Sequence, residues 1–159
     1  MYTALLTVHS YLRWLILIAA LLVIARAVAG IMSKRPWARA DDVAAKMFVH
    51  SLSLQLVIGL IIYIFLSPFT GPAFADIGAT MRDRVLRFIM VEHVVGMIIA
   101  IALAHIGLAR IQKGTDLVQR HKTALAFFAL SLIVMLLSIP WPGMPAGRPL
   151  LRGITDVAG

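Results

Sequence analysis

Four long apolar blocks dominate the chain, separated by short polar segments or by segments with proline and glycine. Hydrophobic residues make up 61% of the 159 residues and charged residues 14%, whereas about a quarter of the residues in a soluble domain are charged. A bilayer core of about 30 Å requires about 20 consecutive apolar residues in a spanning helix. The sequence therefore predicts an all-α fold, a four-transmembrane-helix bundle with up-down-up-down topology in a lipid bilayer.

Glycine, proline and charged residues set the expected helix ends. The first helix is expected to end at Gly30, the second at Pro68, the third near Gly114 and the fourth before Pro140. Thr115 and Asp116 are expected to cap the start of the fourth helix. The predicted helices are about 2–30, 41–66, 81–112 and 115–139.

These helices form one predicted domain, 1–142, which is followed by a proline- and glycine-rich tail, 143–159. We expect the tail to be extended chain on the membrane surface or on a partner.

Lysine and arginine are more frequent on one side of the predicted bundle, and these residues are enriched in cytoplasmic loops. The segments that join helix 1 to 2 and helix 3 to 4 carry nine of them: Arg26, Lys34, Arg35, Arg39, Lys46, Arg110, Lys113, Arg120 and Lys122. The opposite side carries six: Arg13, Arg82, Arg84, Arg87, Arg148 and Arg152. This bias predicts that both chain termini lie on the outer side.

The net charge of +8 does not indicate a nucleic-acid partner, because the basic residues flank the apolar blocks and form no run with interleaved aromatic residues. The chain has no cysteine. Disulfides, thiolate metal sites and covalently attached haem are therefore excluded. Histidine is the only strong ligand type that remains.

Five histidines lie in or beside the apolar blocks, where polar residues are costly and mark functional sites. His9 and His93 are expected at one depth, in the outer half of the membrane. His50 and His105 are expected at a second depth, in the inner half. His121 lies between two basic residues and is expected at the water interface, facing lipid headgroups.

A b-type haem takes two histidines from facing helices, one on each side of its iron. The depths predict a haem with His9 and His93 as axial ligands, and His50 with His105 as a second candidate pair. His93 and His105 are 12 residues apart, which places their side chains about 120° apart around a helix. This angle disfavours two stacked haems on one face.

The neighbours of the first pair support it. Arg13 is four residues from His9 and so on its face, and Arg87 lies on the outer side of His93. Both arginines are expected near haem propionates, because arginine pairs with carboxylates. Small residues follow His93 on its own face and would leave space for a flat macrocycle, although such stripes also mediate plain helix packing: Gly96, Ala100 and Ala104.

Other polar residues at membrane depth have two interpretations each. Ser51, Ser53 and Gln55 either form hydrogen bonds between helices or contact a quinone carbonyl or a propionate. Arg26 is expected to extend to the lipid headgroups. Glu92 is the only carboxylate inside an apolar block, so a small transporter or ion pathway that uses it is a further alternative.

Four short segments resemble those of small bacterial four-helix membrane proteins labelled cytochrome b or cytochrome b-like: HSYLRW at 9–14, LRF at 86–88, EH at 92–93 and IPWP at 139–142. The resemblance covers nearly the whole chain. It implies a bundle in the bacterial cytoplasmic membrane with His9, Arg13, Arg87 and His93 as site residues. The second histidine pair lies outside the resembling segments.

We therefore expect a membrane-embedded b-type haem protein that transfers electrons as a subunit of a larger respiratory or photosynthetic complex. The alternative is a haem-free accessory subunit that packs against other membrane subunits through its small-residue stripe and its tail. No nucleotide-binding loop, zinc-protease helix or hydrolase elbow is present. The sequence thus favours an electron carrier or an accessory subunit over a stand-alone enzyme.

Overall fold

The computed structural model describes residues 1–151, and within them the chain is helical with no β-strand. The α-helices are α1 (Tyr2–Met32), α2 (Arg39–Ile61), α3 (Thr70–Ala75), α4 (Ile77–Arg82), α5 (Arg84–Arg87), α6 (His93–Lys113) and α7 (Gln119–Ser138). One π-helical turn, Ile62–Leu66, extends α2, and another, Phe88–Glu92, joins α5 to α6.

Four helical segments are long and apolar enough to cross a membrane: Tyr2–Met32, Arg39–Leu66, Arg84–Lys113 and Gln119–Ser138. Their outward surfaces carry large exposed apolar side chains such as Ile18, Leu21 and Phe65. Lipid is the environment in which such surfaces are stable. The predicted all-α four-helix bundle is confirmed, and the protein is a multi-pass membrane protein.

The fourth spanning helix begins later than the sequence predicts. Asp116 was expected to cap it, and its carboxylate accepts hydrogen bonds from the backbone N–H groups of Val118 and Gln119 at 2.8 and 3.0 Å. These bonds lower the pKa of the Asp116 carboxyl below its usual range. The cap is thus where it was expected, and regular helix starts at Gln119 rather than near 115.

The long helices close into a ring in which α1 packs against α2 and α7, and α6 packs against the same two helices. Phe48 and Phe128 meet across the ring in an edge-to-face contact, with centroids 5.5 Å apart. Most of the buried core lies toward the α1–α2 and α6–α7 connections, which we call the basic side. The opposite end, with Tyr2 and α3 to α5, is the terminus side.

The small-residue stripe of α6 packs against α7. A Cβ at Gly96 would collide with the side chain of Ser138, and the hydroxyl of Ser131 donates to the carbonyl of Ala100 at 2.7 Å. Ala100 and Ala104 are completely buried. The expectation that the stripe leaves space for a macrocycle is therefore wrong. The stripe is equally unavailable to a partner subunit.

A buried ion cluster joins α1 to α2 on the basic side. Asp41 is 1% exposed and accepts from Arg26 at 2.9 Å and from Arg35 at 2.6 and 2.8 Å. Its carboxylate also accepts from the backbone N–H of Ala38 at 2.9 Å. Arg26 was expected to extend to headgroups, but the carboxylate of Asp41 lies within its reach and holds it inside the fold.

His121 is buried, contrary to the expectation that it faces headgroups. Its ring fills the space left by Gly30, where a Cβ would collide with it. The ring centroid lies 4.9 Å from that of Trp37. Flanking charges indicate how deep a residue lies but not which face of the helix it occupies. The face of α7 that carries His121 points at α1.

We expect Asp41→Asn to lower the free energy of unfolding by about 3 kcal/mol, because breaking a buried ion pair leaves charge uncompensated. The matched control is Asp42→Asn, since Asp42 forms a partly exposed pair with Lys46 that is worth about 0.5 kcal/mol. Unfolding of both variants in detergent micelles measures the difference. Equal losses would show that the cluster around Asp41 has no special role.

Candidate functional site

A cavity of about 210 Å³ lies in the terminus-side half of the bundle, and all four long helices line it. Its walls are mostly apolar, with Leu52, Met97 and Met135 among them. The polar side chains along it are few: Tyr2, His9, Ser10, Arg13, Gln55, Tyr63, Ser67, His93 and Arg148. Apolar walls with a small number of polar groups are typical of small-molecule sites.

His9 of α1 and the first residue of α6, His93, both line this cavity, with ring centroids 6.5 Å apart and ring planes at 66°. An imidazole nitrogen binds a transition metal at about 2 Å and lies about 1 Å from its own ring centroid. Two imidazoles on opposite sides of one metal ion therefore have centroids about 6 Å apart. A direct N–H···N hydrogen bond of about 2.9 Å would bring them to about 5 Å. The observed distance fits one metal ion between the rings.

The end of α7 fixes the ring of His93. Its Nδ1 lies 2.7 Å from the carbonyl oxygen of Ser138, and because a carbonyl only accepts, Nδ1 is the protonated nitrogen. This carbonyl has no helical donor, because α7 ends at Ser138, just before the Pro140–Pro142 segment, and the chain is extended at Ile139. Nε2 of His93 keeps its lone pair, as a metal ligand requires.

The same proline motif places Trp141. The carbonyl of Leu136 lacks its helical donor because the residue four positions on is Pro140, and the indole N–H of Trp141 donates to it at 2.8 Å. Trp141 then packs edge-to-face with Trp14. The guanidinium of Arg13 lies 5.4 Å from the ring of Trp14 and 6.0 Å from that of Trp141.

His9 is packed closely against α2. A Cβ at Gly59 would lie 3.1 Å from Cε1 of His9, so glycine permits this approach. The amide N–H of Gln55 donates to the backbone carbonyl of His9 at 2.9 Å. Nδ1 of His9 and Oε1 of Gln55 are buried without a partner among residues 1–151. Buried polar atoms of this kind are usually satisfied by a ligand or by water.

The two π-helical turns border the cavity. Tyr63 from the first turn and Met90 from the second both line it, and the hydroxyl of Tyr63 donates to the carbonyl of Met90 at 3.1 Å. Thr70 of α3 donates to the carbonyl of Tyr63 at 2.7 Å. Such turns occur mostly at functional sites.

The described part of the tail covers the cavity where α7 ends. With 20 residues α7 is shorter than α1, which has 31, so α1 extends about 16 Å further. The carbonyl of Leu150 accepts from Arg13 at 2.6 Å and from Trp14 at 2.9 Å. Up to residue 151 the tail therefore packs on its own bundle rather than on a partner, while residues 152–159, with Arg152, lie outside the described residues.

Arg148 is a cavity residue that the sequence analysis did not identify. It lines the cavity together with Pro149, and its backbone N–H donates to the carbonyl of Pro140 at 3.1 Å. No feature of the sequence indicates that Arg148 lies at the cavity, because the tail was not expected to fold back onto α1.

Arg87 is the one residue of the expected first site that the structure does not bring to the cavity. Its guanidinium donates to Glu92 at 2.8 Å and to the carbonyl of Met81 at 3.2 Å. The pairing with Glu92 therefore holds Arg87 away from the cavity, which it does not line. The pairing also removes the free carboxylate on which an ion pathway through Glu92 depends.

The second histidine pair is not enclosed by the bundle. His50 and His105 are both exposed on its outer surface, and no ring contact joins them in the described part of the chain. Nε2 of His105 lies 2.9 Å from the hydroxyl of Ser53. Among residues 1–151 no group of three or more histidine, cysteine or carboxylate side chains is arranged to hold a metal ion.

The fold and the cavity define a class: a four-helix multi-pass membrane protein with two histidines at an internal, mostly apolar cavity. Comparison of the chain with protein-family models, with curated proteins and with solved structures finds no match. A relationship to cytochrome b-like proteins is therefore put forward only as a proposal.

We expect ¹⁵N NMR of the protein in lipid to show His93 as the Nδ1–H tautomer, because the carbonyl of Ser138 accepts from that nitrogen. The variant His93→Asn lacks this resonance and therefore identifies it in the spectrum of the unmodified protein. An Nε2–H signal from His93 would show that the end of α7 does not fix this ring.

Proposed function

We propose that the protein is a membrane-embedded b-type haem protein that transfers electrons. The observation that carries the proposal is the 6.5 Å separation of the His9 and His93 rings beside a cavity lined by all four long helices. Bis-histidine ligation by facing helices of a bundle is a common way to hold such a group.

The remaining lining residues fit a flat apolar ring with carboxylates at one edge. Leu52, Met97 and Met135 provide apolar walls. Arg13 and Arg148 provide positive charge, and Nε of Arg13 is buried without a partner among residues 1–151. Arginine is the side chain best suited to carboxylate pairing in such a setting. We therefore assign the propionate contacts to these two residues.

When bound, the haem iron would supply one-electron oxidation and reduction. His93 provides an Nε2 lone pair, and its Nδ1–H bond to Ser138 fixes the ring and raises its basicity. His9 provides the second nitrogen. The apolar walls exclude water from the space between the rings, and the tail covers the side that α7 leaves open.

We also propose the bacterial cytoplasmic membrane as the location, with both termini outside and the protein as one subunit of a respiratory or photosynthetic complex. The excess of lysine and arginine in the two basic-side connections supports this orientation.

We expect one haem per chain in a pyridine haemochrome assay of purified protein. His9→Ala and His93→Ala should each lose it, together with the sharp α and Soret bands after dithionite reduction, because each removes an axial nitrogen. The controls His50→Ala and His105→Ala should retain it. A wild-type protein that folds without haem would favour the haem-free accessory subunit instead.

We expect Arg13→Gln to lower the midpoint potential of the haem by on the order of 40 mV, since loss of a nearby positive charge costs the reduced state about 1 kcal/mol. Glutamine can still donate to the carbonyl of Leu150. Arg87→Gln is the matched control, because Arg87 lies outside the cavity lining. Equal shifts in a redox titration would contradict the assignment of Arg13.

A further inference from the structure

A polar stripe lies on the outer surface of the bundle, away from the cavity. Lys46, His50 and Ser53 of α2 fall within about 60° of one another around that helix, and His105 of α6 adjoins them through Ser53 at 2.9 Å. His50 and His105 are exposed within segments that can span a membrane. Polar side chains that face lipid are costly, so they indicate a function.

The hydrogen bonds of Ser53 fix the tautomer of His105. The single hydroxyl proton of Ser53 is donated to the carbonyl of Val49 at 2.8 Å. The contact between Ser53 and Nε2 of His105 therefore has Nε2–H as its donor. Nδ1 of His105 is left with a lone pair that can accept a hydrogen bond.

The ligand that suits this surface has three properties. It is lipid-soluble, because His50 and His105 lie within spanning segments. It donates a hydrogen bond, because Nδ1 of His105 is an acceptor. It carries two separated polar atoms, one for each histidine. The Cβ atoms of His50 and Ser53 are about 5–6 Å apart on one face of α2, because the two residues are about one turn apart.

We propose that this stripe binds a lipid-soluble hydroquinone, with one hydroxyl donating to Nδ1 of His105 and the other oxygen in contact with His50. The ion pair of Lys46 and Asp42, 2.6 Å long, marks the basic-side end of the site. A quinone contact was one of the alternatives for Ser53 from the sequence, and the structure adds His105 as its hydrogen-bond partner. The inference goes beyond the haem proposal and does not depend on iron.

The test is photolabelling of the protein in phospholipid nanodiscs with an azido-substituted hydroquinone, followed by mass spectrometry of the peptides. We expect the label on segments that contain His50 and His105. An unlabelled short-chain hydroquinone should compete about tenfold better than its quinone, because only the reduced form donates to Nδ1, and one hydrogen bond corresponds to about that factor. Equal competition by both forms, or by an aliphatic alcohol of the same length, would overturn the proposal.

Two variants separate this site from nonspecific lipid contact. His105→Leu removes the acceptor, so the preference for the reduced form should disappear. Ser53→Ala removes the hydrogen bond that fixes the tautomer of His105 and should weaken that preference. Ser53→Thr keeps the hydroxyl and should retain the preference. Leu54→Ala, at an exposed apolar neighbour, is the neutral control. An unchanged preference for the reduced form in His105→Leu, or labelling confined to the cavity peptides, would contradict the site.

The haem content of each variant is measured in parallel by the haemochrome assay. Loss of haem with intact labelling would count against the electron-transfer proposal alone. Intact haem without labelling at His105 would count against the hydroquinone site alone.

Discussion

The constraint on which the rest of the structure depends is that backbone groups in a bilayer must find partners within the protein. The carbonyls of Leu136 and Ser138 lack helical donors because α7 ends at Ser138, before Pro140. Trp141 takes one of them and His93 takes the other, at 2.8 and 2.7 Å. The end of one helix therefore sets the orientation of an imidazole on another. The orientation of the His93 ring toward His9 therefore depends on a backbone carbonyl that lacks a helical donor, and not on direct contact between the two rings.

The cavity exists because the helices on the terminus side are neither regular nor equal in length. Two π-helical turns border it, and Tyr63 joins them through the carbonyl of Met90. The short α7 leaves one side open, and the tail covers that side through Leu150. On the basic side, where the helices are regular, small residues and the edge-to-face contact of Phe48 with Phe128 fill the interior.

The sequence was sufficient for the fold, because apolar block length and flanking charges report position along the membrane normal. They report little about which face of a helix a residue occupies. His121 and Gly96 were therefore misassigned: one faces α1 and is buried, and the other packs on α7. Arg148 was missed because nothing in the tail sequence indicates that it folds back. The pairing of His9 with His93 was expected from depth, and the bond to Ser138 was not.

The tail has a consequence for the order in which the protein matures. Residues 140–150 follow all four spanning helices in the chain, so they are synthesised after those helices. The other walls of the cavity are present before this one is complete. Until Leu150 reaches Arg13 and Trp14, the cavity has an opening beside the end of α7. The cavity is therefore enclosed only after the four spanning helices have been made, when the tail docks.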